Sequence, residues 1–337
     1  MANMSANVTH LIQLTVRYGD RDYVPLQRLA QDGVSITGSG AATASPETLM
    51  MPAARAELLV DTASACRGIG LSPCRLDKPL TGTLKTVGIA RDAGNAPATR
   101  ADIWPAMTLA KVEFAAGSPK AVDADYSLSV FARPFHDLRE FAVRRSLAAP
   151  MASSLPGQGK RCIGGSTPTI LANDQYRLIG LKNFVDPTSG EHFQMAYAGA
   201  RQVAEGQRDF VIDQTIYHEF QMSHPEICVG ANIQGRYQEI WVIKNDSEEI
   251  HNFHLHQSKF EVIDSQNGIG LIKQAAPGAG KFVDVYPVDA GGWIKIRLTF
   301  DHDEQVGTYV YHCHILEHED RSMMSLIQVV DVSRKDL

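Results

Sequence analysis

The chain has 337 residues, 44% hydrophobic and 21% charged, a balance that excludes a disordered or fibrous protein and leaves room for two domains of ordinary size. Its formal charge is −6, and no polybasic stripe reverses that sign locally, so general affinity for nucleic acid or an anionic membrane surface is not expected. No apolar stretch reaches membrane-spanning length, and "MANMSANVTHLIQLTVRYGD" lacks the basic-then-apolar layout of a secretion signal.

The first element is a strand that starts near residue 10. In "HLIQLTVRY", Ile12, Leu14, Val16 and Tyr18 alternate with Gln13, Thr15 and Arg17, the period of a half-buried strand. "RAELLVDT", "LTGTLKTVGIA" and "AKVEFAAG" follow as strand-like runs, separated by Gly, Pro, Asn and Asp. Around residues 135 to 175 the alternation gives way to Pro, Gly and Ser, which marks a domain boundary. Beyond it, "QEIWVIKN", "SKFEVID", "GWIKIRLTF", "GTYVYHCHI" and "MSLIQVVDV" restore the strand pattern. Helical periodicity is nearly absent and no short repeat is visible, so the expected class is all-β, a sandwich or barrel.

Cys66, Cys74, Cys162 and Cys228 show no metal-type spacing. They either pair as disulfides, in one of three ways, or stay buried as thiols. Cys313 stands apart, because its neighbours are histidines.

Six of the twelve histidines fall in two short runs: "HNFHLH" holds His251, His254 and His256, and "HCHILEH" holds His312, His314 and His318. Side chains alternate faces along a strand, so His312 and His314 share a face and Cys313 points to the other. His254 and His256 likewise share a face that His251 does not. Two sites emerge. One collects His251, Cys313 and His318 with a methionine at its edge, the ligand set of a blue-copper electron-transfer centre. Met323, ten residues after Cys313, is the natural axial candidate, with Met324 its neighbour. The other collects His254, His256, His312 and His314, an all-imidazole set suited to copper or zinc. A structural zinc would not need seven ligands divided over two faces. His10, His136, His192, His218, His224 and His302 receive no role.

H-x-x-H-x-H followed by H-C-H-x-x-x-H-x-x-x-x-M resembles the C-terminal copper signature of the multicopper oxidases, the family of laccases, ascorbate oxidase and bacterial cuprous oxidases. The second run matches at every position, while "HNFHLH" has Asn252 where the family often has proline. "YQEIWVIKND" and "MMPAARAELLVD" also look like family strands. The resemblance implies Greek-key cupredoxin β-sandwich domains, with residues 1–140 part of a second domain and 141–337 a complete third. It further implies a type 1 copper on His251, Cys313, His318 and Met323, taking single electrons from a phenol, aromatic amine or metal ion. His254 would ligate a type 2 copper and His256, His312 and His314 a type 3 pair, the cluster that reduces dioxygen to water in the family. Glu319 sits where related bacterial enzymes keep a carboxylate tied to proton delivery.

The family draws four further histidines from two H-x-H motifs in a first domain, and this chain has no H-x-H before His251. The expectation is therefore an oxidase portion whose remaining histidines come from a missing N-terminal domain or a separate chain. The alternative is a type 1 copper protein that transfers electrons without oxygen chemistry. A copper nitrite reductase is disfavoured, because that group places no histidine directly after the type 1 cysteine. The family is mostly periplasmic or secreted, and the N-terminal residues leave the compartment open.

Overall fold

The computed structural model describes residues 1–4, 9–18, 21–23, 26–31, 34–35, 48–60, 79–87, 89–90, 103–104, 106–114, 161–268 and 282–333. Cys66 and Cys74 lie outside these residues, as does most of the proposed boundary segment.

The N-terminal part is a set of short strands: β1 (His10–Tyr18), β2 (Arg21–Tyr23), β3 (Leu26–Gln31), β4 (Val34–Ser35), β5 (Thr48–Met50), β6 (Ala56–Val60), β7 (Leu80–Thr86), β8 (Ile89–Ala90), β9 (Ile103–Trp104) and β10 (Met107–Phe114). β1 is the hub of a sheet ordered β10-β7-β1-β2, with β5 also paired to β1. Its alternation explains its place, since Ile12, Leu14 and Val16 are each at most 2% exposed.

The C-terminal part is a two-sheet sandwich. Its strands are β11 (Gln175–Asp186), β12 (Gly190–Gln202), β13 (Ile227–Ala231), β14 (Tyr237–Asn245), β15 (His251–Leu255), β16 (Phe260–Gln266), β17 (Phe282–Val283), β18 (Val285–Val288), β19 (Trp293–Phe300), β20 (Gly307–Cys313) and β21 (Met324–Asp331). One sheet runs β12-β11-β14-β19-β16-β17 and the other β13-β21-β20-β15-β18. β11 and β14 pair in parallel, as do β13 and β21, while the remaining neighbours are antiparallel. The inner faces interlock, with Trp241, Ile243, Ile296 and Leu298 from one sheet against Phe253, Leu255, Tyr311 and Val329 from the other. Among the described residues helix is confined to α1 (Leu316–Asp320) and short 3-10 turns.

β11 and β12 are the long strands that alternation missed. Arg177 stands on the inner face of β11, where an apolar residue would reveal the pattern, because it is paired there with Glu239 of β14. The outer face of that sheet is covered by Phe210, Ile212 and Tyr217. Gly180 belongs to this face, and a Cβ there would overlap the Tyr217 hydroxyl, so the close approach demands glycine.

Residues 161–171 pack with the C-terminal sandwich. Thr169 bridges Val229, and Cys162 is disulfide-bonded to Cys228 across 66 residues of sequence. Cys162 and Cys228 thus pair with each other, one of the readings left open above. Closing a loop of that length removes denatured-chain entropy worth about 4 kcal/mol. Urea titration of Cys162→Ser should show a loss of that order, and an unchanged midpoint would assign the bond no role in stability.

The two parts meet at the turn after β5. Leu49 and Met51 join the sandwich core, the Pro52 carbonyl accepts from Asn252 Nδ2 at 2.9 Å, and Arg55 forms a two-pronged ion pair with Asp284 at 2.9 and 3.0 Å. Ala53, in the middle of the turn, has φ 64°, a left-handed conformation that costs a residue with a Cβ about 1 kcal/mol and persists only where neighbours enforce it.

Candidate metal centres

β15 and β20 run antiparallel with Phe253 opposite Cys313 and His254 opposite His312. Alternation then turns His251 and Cys313 toward the core, where both are 0% exposed. After Cys313 the chain turns through α1 and returns: Met323 N donates to the His318 carbonyl at 2.8 Å, and Cys313 N donates to the Met323 carbonyl at 3.0 Å. This loop fixes His318 and Met323 beside Cys313, with exposures of 1% and 0%.

The first group is compact. Cys313 Sγ lies 3.4 Å from His318 Nδ1 and 3.8 Å from His251 Nδ1, and the two nitrogens face each other at 3.0 Å. Both rings are oriented from behind. His251 Nε2 is 2.8 Å from Ser247 Oγ, and His318 Nε2 is 3.1 Å from Glu249 Oε1. With Nε2 donating to these oxygens, each Nδ1 carries its lone pair toward the sulfur, as a ligand must. Phe193 stacks on His318, ring centres 4.3 Å apart and planes 19° from parallel. Two imidazoles and one thiol in a dry pocket are a donor set for copper and not for hard cations such as magnesium or calcium.

The second group occupies the opposite face of the same strands. His256 Nε2 and His312 Nε2 are 3.1 Å apart, and the ring of His254 is 4.9 to 5.2 Å from those of His256, His312 and His314. Ligand atoms of His254, His256 and His312 all lie within 4.8 Å of one another. His254 Nδ1 is 2.6 Å from the Asp284 carbonyl, which fixes the proton on Nδ1 and leaves Nε2 to bind. His312 Nδ1 is 3.0 Å from the Cys313 carbonyl and 3.2 Å from Glu319 Oε2. His312 is buried, His254 and His314 are half-buried, and His256 is exposed.

Burial and, secondarily, the neighbouring imidazoles push His254 down to about 4 and His312 to about 3. Both rings are therefore neutral at pH 7, the state that binds metal. Burial raises the Glu319 carboxyl. For the metal-free protein the sign is fixed: the unfolded chain takes up protons near pH 6.5 while the folded chain resists until about 4 and 3. The stability these rings contribute is complete above pH 6.5 and is lost as pH falls through the lower values, amounting to a few kcal/mol between pH 7 and 4. Denaturant titrations across that range test this, and His312→Gln should flatten the profile.

Neither the His251 nor the His318 ring presents an edge to solvent: both are buried, with Glu249, Ser247 and Phe193 packed around them. A cavity of about 460 Å³ is lined in part by Glu191, His192, Glu219 and Arg321. From its wall a polar chain leads inward: Asn183 Nδ2 donates to Glu191 Oε1 at 3.4 Å and to Glu249 Oε2 at 3.0 Å, and Glu249 meets His318. Sequence reasoning passed over Glu249, since "NDSEEI" reads as a solvated acidic loop.

Residues 198–333 match the family model of the multicopper oxidases. A multicopper oxidase of Staphylococcus haemolyticus is 36% identical over 98 residues, 28% of this chain and 20% of that protein. A laccase of Bacillus subtilis is 34% identical over 106 residues, again 28% and 20%. Among solved structures, a multicopper oxidase from Campylobacter jejuni described as a metallo-oxidase superposes with a TM-score of 0.52 at 16% identity, covering 97% of this chain and 52% of its own. A multicopper oxidase from the hyperthermophile Aquifex aeolicus gives 0.50 at 15%, covering 98% and 54%. The shared fold is the cupredoxin sandwich. The chain spans about half the length of these structures, and the matched segments span about a fifth of the relatives.

Proposed function

Because the chain belongs to the multicopper oxidase family, matched over residues 198–333, we propose that His251, Cys313, His318 and Met323 hold a type 1 copper. His254, His256, His312 and His314 then supply half of a type 2/type 3 copper cluster. Copper at the first group supplies one-electron exchange, and copper at the second supplies reduction of dioxygen. The observation that carries this reading is the position of Cys313, whose sulfur faces one group while its peptide bonds join it directly to His312 and His314 of the other.

The reductant is a phenol, aromatic amine or metal ion. It docks in the cavity beside α1, where the carboxylates of Glu191 and Glu219 accept a hydroxyl or amine proton or attract a cation. Asn183 and Glu249 bridge that wall to His318. Glu319, held near His312 with its carboxyl shifted upward by burial, serves as a proton donor on the oxygen side. His256 is exposed, so that side of the cluster is open to four further imidazoles from another domain or another chain. The same openness favours a second reading, in which the chain exchanges electrons at the type 1 copper without reducing oxygen.

Oxygen uptake by the copper-loaded chain with an easily oxidised phenol separates the readings. Uptake that Cys313→Ser abolishes is the oxidase result. A blue protein without uptake is the electron-transfer result, and uptake indifferent to Cys313→Ser contradicts both.

A further inference from the structure

We propose that Ser189, His192 and Glu219 form a hydrolytic site for neutral esters of phenols, a second activity located in the cavity beside α1. The hydrolysis needs no copper, and only the use of its phenol product as a reductant rests on the copper reading.

The three side chains are linked in series. His192 Nδ1 lies 2.6 Å from Glu219 Oε1, and His192 Nε2 lies 2.7 Å from Ser189 Oγ. With the Nδ1 proton donated to the carboxylate, Nε2 turns its lone pair to the serine hydroxyl, the arrangement that activates a serine as a nucleophile. Sequence spacing does not announce it, because Glu219 follows His192 by 27 residues.

Each member is held from behind. Ser189 sits in the turn between β11 and β12, where Asp186 Oδ1 accepts from Thr188 N at 2.8 Å, Thr188 Oγ1 at 2.7 Å and Ser189 N at 2.8 Å. The same oxygen lies 2.9 Å from Ser189 Oγ. Three donors already exceed the lone pairs of one carboxylate oxygen, so the imidazole is the better acceptor for the serine proton. The His192 ring stacks on Phe184, its cross-strand partner, with centres 5.0 Å apart and planes 13° from parallel. Next to Glu219, His218 bridges Met195 of β12 and ties that segment to the same strand.

The cavity supplies the rest. Ser189, His192 and Glu219 all line it, and so does Arg321. The Arg321 nitrogens stand 3.8 Å from Glu191 and 3.6 Å from Glu317, beyond hydrogen-bond length, which leaves the guanidinium available to a developing oxyanion. A volume of about 460 Å³ admits one aromatic ring with a small acyl group. Glu191 and Glu219 repel an anionic acyl group, hence a neutral ester. Phenols leave readily as anions, which suits a serine on an exposed turn.

In the reaction Ser189 Oγ bonds to the carbonyl carbon as its proton passes to His192 Nε2. The bond to the phenol oxygen then breaks, and His192 returns the proton to that oxygen. Water repeats the sequence on the acyl-serine, releasing the acid and restoring the hydroxyl. The phenol set free belongs to the reductant class proposed above.

The test is release of p-nitrophenol from p-nitrophenyl acetate by the metal-free full chain. Ser189→Ala and His192→Gln should each lower kcat/KM at least about tenfold. Glu219, which positions His192, should act on kcat: Glu219→Gln lowers it with KM near the wild-type value, and Glu219→Asp restores part of the loss. In the wild type, diisopropyl fluorophosphate should phosphorylate Ser189 with loss of fluoride, read by mass spectrometry of the labelled peptide. A wild type without esterase activity would overturn the proposal, as would Ser189→Ala at the wild-type rate, a label found elsewhere, or a Glu219→Gln defect confined to KM. Because no copper is present, these failures leave the copper reading untouched, and a copper-loaded chain without blue colour leaves the hydrolysis untouched.

Discussion

Cys313→Ser is expected to remove the blue absorption of the copper-loaded protein completely while leaving the fold intact. The colour of such a centre arises from charge transfer between a thiolate and copper, and Cys313 is the cysteine among the described residues that is not held in a disulfide. A serine hydroxyl is nearly isosteric, and the Asn252 N–H still points at the substituted atom, so the new polar group keeps a partner. The structural cost is therefore small, on the order of 1 kcal/mol, and thermal unfolding should move by only a few degrees. Absorption spectra and melting curves on the two proteins check both halves. A blue serine variant would place the thiolate elsewhere, and a collapsed one would assign Cys313 a structural task.

A second large effect, on stability, is expected at the far end of the same sandwich. Arg177 and Glu239 form a two-pronged ion pair, Nε to Oε2 and Nη2 to Oε1 each at 2.7 Å, with side-chain exposures of 1% and 0%. Glu239 also accepts from Trp241 Nε1 at 2.8 Å and from the Tyr237 hydroxyl at 3.1 Å, while Arg177 Nη1 donates to Tyr197 OH at 2.7 Å. Arg177→Ala strands a carboxylate in the core, which costs about 3–5 kcal/mol. Replacing both partners, as in Arg177→Met with Glu239→Gln, removes both charges and should recover a substantial part. Urea midpoints of the two variants measure this. A single variant less destabilised than the double would mean that the ion pair is not what holds β11 to β14.

Alternation alone locates β1, β14, β19, β20 and β21, because each has one face toward a core and shows it in sequence. The separation of Cys313 from its flanking histidines is read the same way, since strand parity is a local rule. What escaped are features that depend on partners far away in the chain. β11 hides its inner face behind Arg177, which is intelligible only with Glu239, 62 residues later. Glu249 is an acid in a run of acids until Asn183 and His318 close around it. Asn252 looks like a departure from a motif until Pro52, 200 residues earlier, and the Cys313 sulfur give its two donors something to do. We propose residues 1–140 and 141–337 as the two domains. Residues 161–171 pack with the C-terminal sandwich, and residues 121–160 lie outside the described structure.

The central claim is that His251, Cys313, His318 and Met323 bind copper through a thiolate. The most direct measurement is an electron paramagnetic resonance spectrum of the wild-type chain loaded with one equivalent of copper(II), recorded beside its visible spectrum. The account predicts a narrow copper hyperfine splitting together with intense blue absorption, the joint signature of a trigonal His2Cys site with a weak methionine ligand. A broad hyperfine pattern without colour would place the copper on nitrogen and oxygen donors and contradict the account.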